Sequence, residues 1–316
     1  MKRKSIRFAR GDAALEGLLF LPANAAEPRP AVVVTGAWTT VKEQMAGTYA
    51  RALAERGFAA LVFDFAGWGA SSGAPRHRED PTAKTADILA AVDALAEQPE
   101  VDAAQIYGLG VCASAGYMAA AAADHPRVRK LALVAPWLHD PAMAEQIYGG
   151  AESVQTLIAA GREAEQTPTT IIAASATDES ALMFGAPYYT ESDRGLIDAY
   201  DNRFDVASWE PWLTYDAQAV ADRLTVPTLV VCSEAAALPA GAHAFVARTE
   251  APVVEHWLDD VNQFDFYDRT DVVATAVDSI VEHLQRPQCP ATSRLPIPSL
   301  DSSAQSMGRH GRSSRP

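Results

Sequence analysis

Residues 108–116 read GLGVCASAG. The run before them, VDAAQIYGLG (101–110), is apolar enough for a buried strand, and SAGYMAAAAADH (114–125) suits a helix. Cys112 falls between the two. A strand that turns at once into a helix needs small residues two positions either side of the bend, and Gly110 and Ser114 supply them. The arrangement is that of a nucleophile elbow with cysteine in the reacting position. A helix N-terminus stabilises a thiolate, so an attacking Cys112 is expected there, with a pKa below that of a free thiol. Two other readings exist. The frame CASAG (112–116) would put Ser114 at the bend, but it needs the strand to continue two residues further. A buried, unreactive thiol is the plainer one.

Working outward, the chain alternates strand and helix. AVVVTG (31–36) and AALVFDF (59–65) flank the amphipathic QMAGTYARALAERG (44–57); TAKTADILAAVDALAEQ (82–98) leads to the elbow strand, and KLALVAP (130–136) follows the elbow helix. Residues 4–9 and 14–21 alternate as an opening hairpin. This order predicts an α/β fold, a mainly parallel sheet with helices on both faces. The rhythm stops at Trp137 and resumes near Leu224 with PTLVVCSE (227–234), a helix from about Pro239, VVEHWLDD (253–260) and a last helix at about 270–284. The interruption, about 137–224, holds 10 of the 25 aromatic residues. It is read as a cap inserted after the sixth strand, with an aromatic underside over a pocket.

The expected domain is 1–284, and the Ser-, Pro- and Arg-rich 285–316 is expected to be a disordered tail. That tail carries five arginines against one aspartate, so the body is more acidic than the whole chain at −14. Such a body repels nucleic acid and anionic lipid. Cys112, Cys232 and Cys289 are far apart and show no zinc spacing, which points to a reduced, cytoplasmic protein with no metal and no cofactor. No run approaches the length of a membrane span. The partner expected is a small apolar or aromatic substrate, with a homodimer left open. VVVTGAWTTVKEQ (32–44) places Gly36, Ala37 and Trp38 after the first parallel strand, where their backbone N–H groups, with that of Ala113, are candidates for an oxyanion hole. Lys42 is a candidate for binding an anionic substrate group, against a solvated Lys42–Glu43 pair at a helix start.

GVCASAGY (110–117), DFAGWGASSG (64–73) and the strand order resemble the α/β-hydrolases. With TVKEQ (40–44), CSEAAALP (232–239) and NQFDFYDR (262–269), the chain is more closely similar to the dienelactone-hydrolase-like group that includes a fungal polyketide transferase. The resemblance covers about residues 4–284 and implies hydrolysis or acyl transfer on an ester, thioester or lactone. It carries Glu234 onto or near the position of the catalytic acid, and Gln263 onto that of the catalytic histidine. Glutamine cannot take up a proton at neutral pH, so a full Cys-His-acid triad is not supported. Of the seven histidines, His139, beside Asp140 at the entrance to the interruption, is the remaining candidate base; a hinge histidine bonded to backbone is the alternative. A scaffold that binds a small apolar molecule without catalysis, or a lyase or cyclase on the same scaffold, are the rival functions.

Overall fold

The computed structural model describes residues 1–23 and 27–287. The expectation for the tail falls largely on residues 288–316, which lie outside the described residues. The body, Met1–Gln285, is one compact unit. β1 (Lys2–Arg10) and β2 (Ala13–Leu21) form the opening hairpin, turning at Gly11 with φ +56°. β3 (Arg29–Thr35), α1 (Met45–Glu55), β4 (Ala59–Phe63), α2 (Pro81–Ala96), β5 (Val101–Val111), α3 (Ser114–Asp124) and β6 (Val128–Val134) then alternate. Next come α4 (Pro141–Ile147), α5 (Ala151–Gln166), β7 (Thr170–Ile172), β8 (Ala174–Ser175), β9 (Met183–Phe184), α6 (Pro187–Thr190), β10 (Arg203–Asp205) and α7 (Trp209–Leu213). The alternation resumes with β11 (Thr228–Cys232), α8 (Pro239–Arg248), β12 (Val253–Trp257), α9 (Asp265–Asp268) and α10 (Thr270–Gln285).

Eight strands form the main sheet in the order β1-β2-β4-β3-β5-β6-β11-β12. The pairs from β4 to β12 are parallel, and β1 and β2 join antiparallel at one edge. β3, β4, β6 and β11 are buried along nearly their whole length, as strands covered by helices on both faces must be, and their Val, Leu and Ala content follows from that. β5 is central, so the residue at its C-terminal end sits where the sheet's loops converge.

That residue is Cys112. Its φ of +57° is the bend itself, a left-handed conformation that a non-glycine residue adopts at a cost. The backbone is held in it from both sides: the Cys112 N–H donates to the Val134 carbonyl at 3.0 Å, and its carbonyl accepts from Trp137 at 3.0 Å. Gly110 is required by contact. A Cβ there would lie 2.7 Å from both the Ala115 Cα and the Ser114 carbonyl, which are backbone atoms that cannot step aside. α3 is almost wholly buried, and its alanines let it lie close against the sheet beneath the bend.

Candidate active site

The Cys112 sulfur lies in a cavity of about 680 Å³. From the sheet side the walls are Trp38, Cys112, Ala113, Ala235, Ala237 and the loop Asn262–Tyr267 without Phe266; from the stretch between β6 and β11 they are Trp137, Ile147, Tyr148, Leu182–Pro187, Tyr189, Arg194 and Trp212. Trp38 stacks on Trp212 with centroids 4.9 Å apart, and Tyr148 accepts a 2.8 Å hydrogen bond from the Trp212 indole. The lining is thus aromatic and rigid, suited to a flat apolar group. Arg194, Asn262, Gln263 and Asp265 are the polar members of the lining, and Arg194 is held by Asp268 through two bonds of 2.6 and 2.7 Å.

Around the sulfur, the backbone N–H groups of Ala113 and Trp38 and the hydroxyl of Tyr267 interact with it, and each favours the thiolate. Two amides from two different loops, converging on the nucleophile, are the makings of an oxyanion hole. The loop that carries Trp38 is clamped at both ends. Thr39, at φ +63°, donates its N–H to Glu79, and Lys42 donates its N–H to Asp64 at 2.8 Å. Ala37 is turned away, its N–H directed at the Met45 sulfur at 3.4 Å. Of the expected donors Gly36 to Trp38, the structure therefore brings only Trp38 to the sulfur.

The remaining expected residues are placed differently. Lys42 is buried and does not line the cavity; its ammonium is spent on Asp64 at 2.6 Å and Glu43 at 2.8 Å. It anchors the loop, two of its three N–H donors being taken by carboxylates. Glu234 projects outward with its side chain 73% exposed and pairs with His243 at 2.8 Å, because the turn after β11 directs the side chain to solvent. His139 is buried with both ring nitrogens engaged: Nδ1 accepts from the Trp137 indole at 3.1 Å and Nε2 donates to the Trp212 carbonyl at 2.9 Å. Burial also pushes its pKa down. It pins two indoles of the cavity wall and does not reach Cys112, as the hinge alternative had it. Gln263 does line the cavity, and its role is taken up below.

The pKa of Cys112 also departs from expectation. Burial pushes the thiol above its ordinary range and outweighs the three donors, while the charge of Glu79 adds to the rise. At neutral pH Cys112 is a thiol, and the thiolate is a small fraction. Alkylation of Cys112 by iodoacetamide, which needs the thiolate, is therefore expected to rise roughly tenfold per pH unit from about pH 6 to 8.5 without levelling, as read by peptide mass spectrometry. A plateau below pH 8 would show a depressed pKa instead.

Of three further residues near the sulfur, Tyr267 has no counterpart in the expectations, while Tyr148 and Tyr189 belong to the aromatic set expected over a pocket. Tyr267 stands four residues after Gln263, a spacing that puts both on one side of a helical turn. Tyr148 and Tyr189 come from the aromatic interruption, and nothing local distinguishes them from its other tyrosines. Among the described residues no group of three or more His, Cys, Asp or Glu side chains could hold a metal ion, and no helix is long and apolar enough to cross a membrane.

Comparison with known proteins places this geometry. Residues 27–187 match the family model described as serine aminopeptidase, S33. The Escherichia coli K12 protein YcjY is 28% identical over 280 residues, spanning 83% of this chain and 91% of the relative. The thiohydrolase AneE of Aspergillus aculeatus is 30% identical over 164 residues, 50% of this chain and 51% of the relative, so the match spans about half of that enzyme. The crystal structure of the alpha/beta hydrolase GrgF from Penicillium superposes with a TM-score of 0.75 at 22% identity, over 90% of this chain and 99% of that one.

Proposed function

The chain belongs to the family described as serine aminopeptidase, S33, on the α/β-hydrolase fold, and from that membership we propose that this enzyme transfers an aromatic or otherwise flat apolar acyl group from a thioester through Cys112. It departs from the family's description in carrying cysteine at the elbow. The observation that carries the reading is the sulfur of Cys112, which interacts with the N–H groups of Trp38 and Ala113 inside an aromatic cavity that, among the described residues, no histidine lines.

The missing base selects among the substrates. Expelling an alkoxide from an ester requires a proton donor of the histidine kind. A thioester exchanges one sulfur for another of similar basicity, so attack by Cys112 and loss of the donor thiol are nearly balanced. The carbonyl oxygen takes the developing charge to the two amides. Activating water to discharge the acyl-enzyme again calls for a base, so transfer to a second thiol or a carbanion is favoured over hydrolysis. In this reading the segment 137–224 is the cap that shapes the acyl pocket. The names of the fungal relatives, a thiohydrolase and a polyketide transferase, accord with thioester chemistry.

The test is direct. Incubation with the benzoyl thioester of N-acetylcysteamine should leave a benzoyl adduct on the peptide that holds Cys112, slow to hydrolyse and discharged by added thiol. No adduct, or one on another residue, overturns the proposal. The rival reading of a binder without catalysis draws on the raised thiol pKa, and it requires the ligand to be retained with no adduct formed.

A further inference from the structure

On the basis of the acyl-transfer reading just given, we propose that Tyr267 is a catalytic residue that carries the proton of Cys112 to the departing thiol, with Gln263 as the positioning residue that aims it. Tyr267 lies on α9, is 1% exposed, and lines the cavity together with Cys112 and Gln263. Its ring is held by Tyr188 at 5.1 Å and Phe264 at 5.8 Å, and the neighbouring Phe266 carbonyl accepts from the buried Tyr49 hydroxyl at 2.8 Å. The phenol is therefore fixed in the cavity wall, within reach of the sulfur.

Gln263 decides which way that phenol points. Its Oε1 accepts from the Ala237 N–H at 3.0 Å, which leaves its Nε2 to donate to the Ala135 carbonyl at 2.9 Å and to the Tyr267 oxygen at 3.0 Å. The amide has one orientation, because flipping it would set oxygen against the Ala135 carbonyl and nitrogen against the Ala237 N–H. With a donor already on the phenol oxygen, the phenol's own proton is turned away from Gln263, into the region of the cavity where the Cys112 sulfur and the Tyr189 hydroxyl are in reach. A histidine at 263 could have taken a proton itself. The glutamine cannot, but it holds a hydroxyl that can both give and receive one.

The step balances without ionising any group. The S–H proton of Cys112 passes to the Tyr267 oxygen while Tyr267's proton passes to the leaving sulfur. A bond forms between the Cys112 sulfur and the carbonyl carbon, and the bond from that carbon to the donor thiol breaks. Thiol and thioester give thioester and thiol. The titratable groups that act on the sulfur are the phenol of Tyr267 directly and, through charge at longer range, Tyr189, Tyr148, Tyr117 and Glu79, with Arg194 and Asp265 also in the cavity wall.

The experiment uses Tyr267→Phe in the full chain and two benzoyl thioesters. One releases N-acetylcysteamine, a basic thiol that needs a proton; the other releases thiophenol, which leaves as the anion. Wild-type acylation by the first should be nearly flat between about pH 6 and 8.5. In the variant it should be slower by about 10²-fold at pH 7 and rise roughly tenfold per pH unit, while acylation by the second falls far less. Equal losses on both thioesters, or a variant that keeps the flat profile, overturn the relay alone. No acylation of the wild type by either thioester overturns the acyl-transfer reading, and the relay with it.

Discussion

Cys112→Ser is expected to be as inactive as Cys112→Ala, each about 10³-fold or more below the wild type in benzoyl transfer between thiols. Serine at a hydrolase elbow works because an adjacent histidine takes its proton. Here the position that the family resemblance assigns to that histidine is Gln263, whose amide is committed to Ala237, Ala135 and Tyr267. His139 has no free nitrogen. The nearest hydroxyl, Tyr267, is a phenol whose pKa burial pushes well above the ordinary value, so it cannot serve as a standing base. A thiol can be helped across by a relay; an aliphatic hydroxyl, far less acidic, cannot. The measurement is the rate of benzoyl exchange, with thermal unfolding as the control that both variants fold. A serine variant within about tenfold of the wild type would reveal a base that the geometry does not contain.

The parts of this site that depend on neighbours along the chain are legible in the amino-acid sequence alone. Gly110, Cys112 and Ser114 specify a bend whose sterics are local, and the Cβ distances at Gly110 repeat that logic in space. The parallel sheet follows from strand and helix runs of ordinary length, and the order of elements along the chain matches it. The direction of a single side chain from a loop is another matter. Glu234 is one residue beyond the buried Ser233, and that step takes it from the interior to solvent. Lys42 and Glu43 read as a surface pair, yet Lys42 is buried because Asp64, twenty-two residues later, is there to receive it. The thiol's pKa runs against the sequence expectation for a related reason. The helix N-terminus is visible in sequence, but the burial that opposes it is a property of the whole fold and is the larger effect.

Glu79→Ala is expected to destabilise the body by about 3–5 kcal/mol, the scale of breaking a buried ion pair from one side. Glu79 is fully buried, its carboxylate taking Lys84 Nζ at 2.8 Å, the Tyr117 hydroxyl at 2.9 Å and the Thr39 N–H at 3.3 Å. Without it the Lys84 ammonium keeps the faces of Phe65 and Trp68, with centroids at 4.7 and 4.5 Å, and the more distant charges of Asp87 and Asp80. Thermal unfolding should fall by roughly 10 °C, and Glu79→Leu combined with Lys84→Met, which removes both charges, should recover much of it. The chemistry separates this loss of stability from a role in the site. Glu79 raises the Cys112 pKa while the Trp38 N–H lowers it by more, so iodoacetamide alkylation at a given pH should speed up only if the loop stays in place and should not if the loop moves. Thr39 would at the same time lose the acceptor that holds the Trp38 N–H over the sulfur, so benzoyl transfer should slow by about 10²-fold. Acylation down with no gain in alkylation in one folded variant is what a displaced oxyanion loop produces. If alkylation rose and acylation held, Glu79 would be no more than a partner for Lys84, and the amide of Trp38 would owe its direction to the Lys42–Asp64 clamp alone.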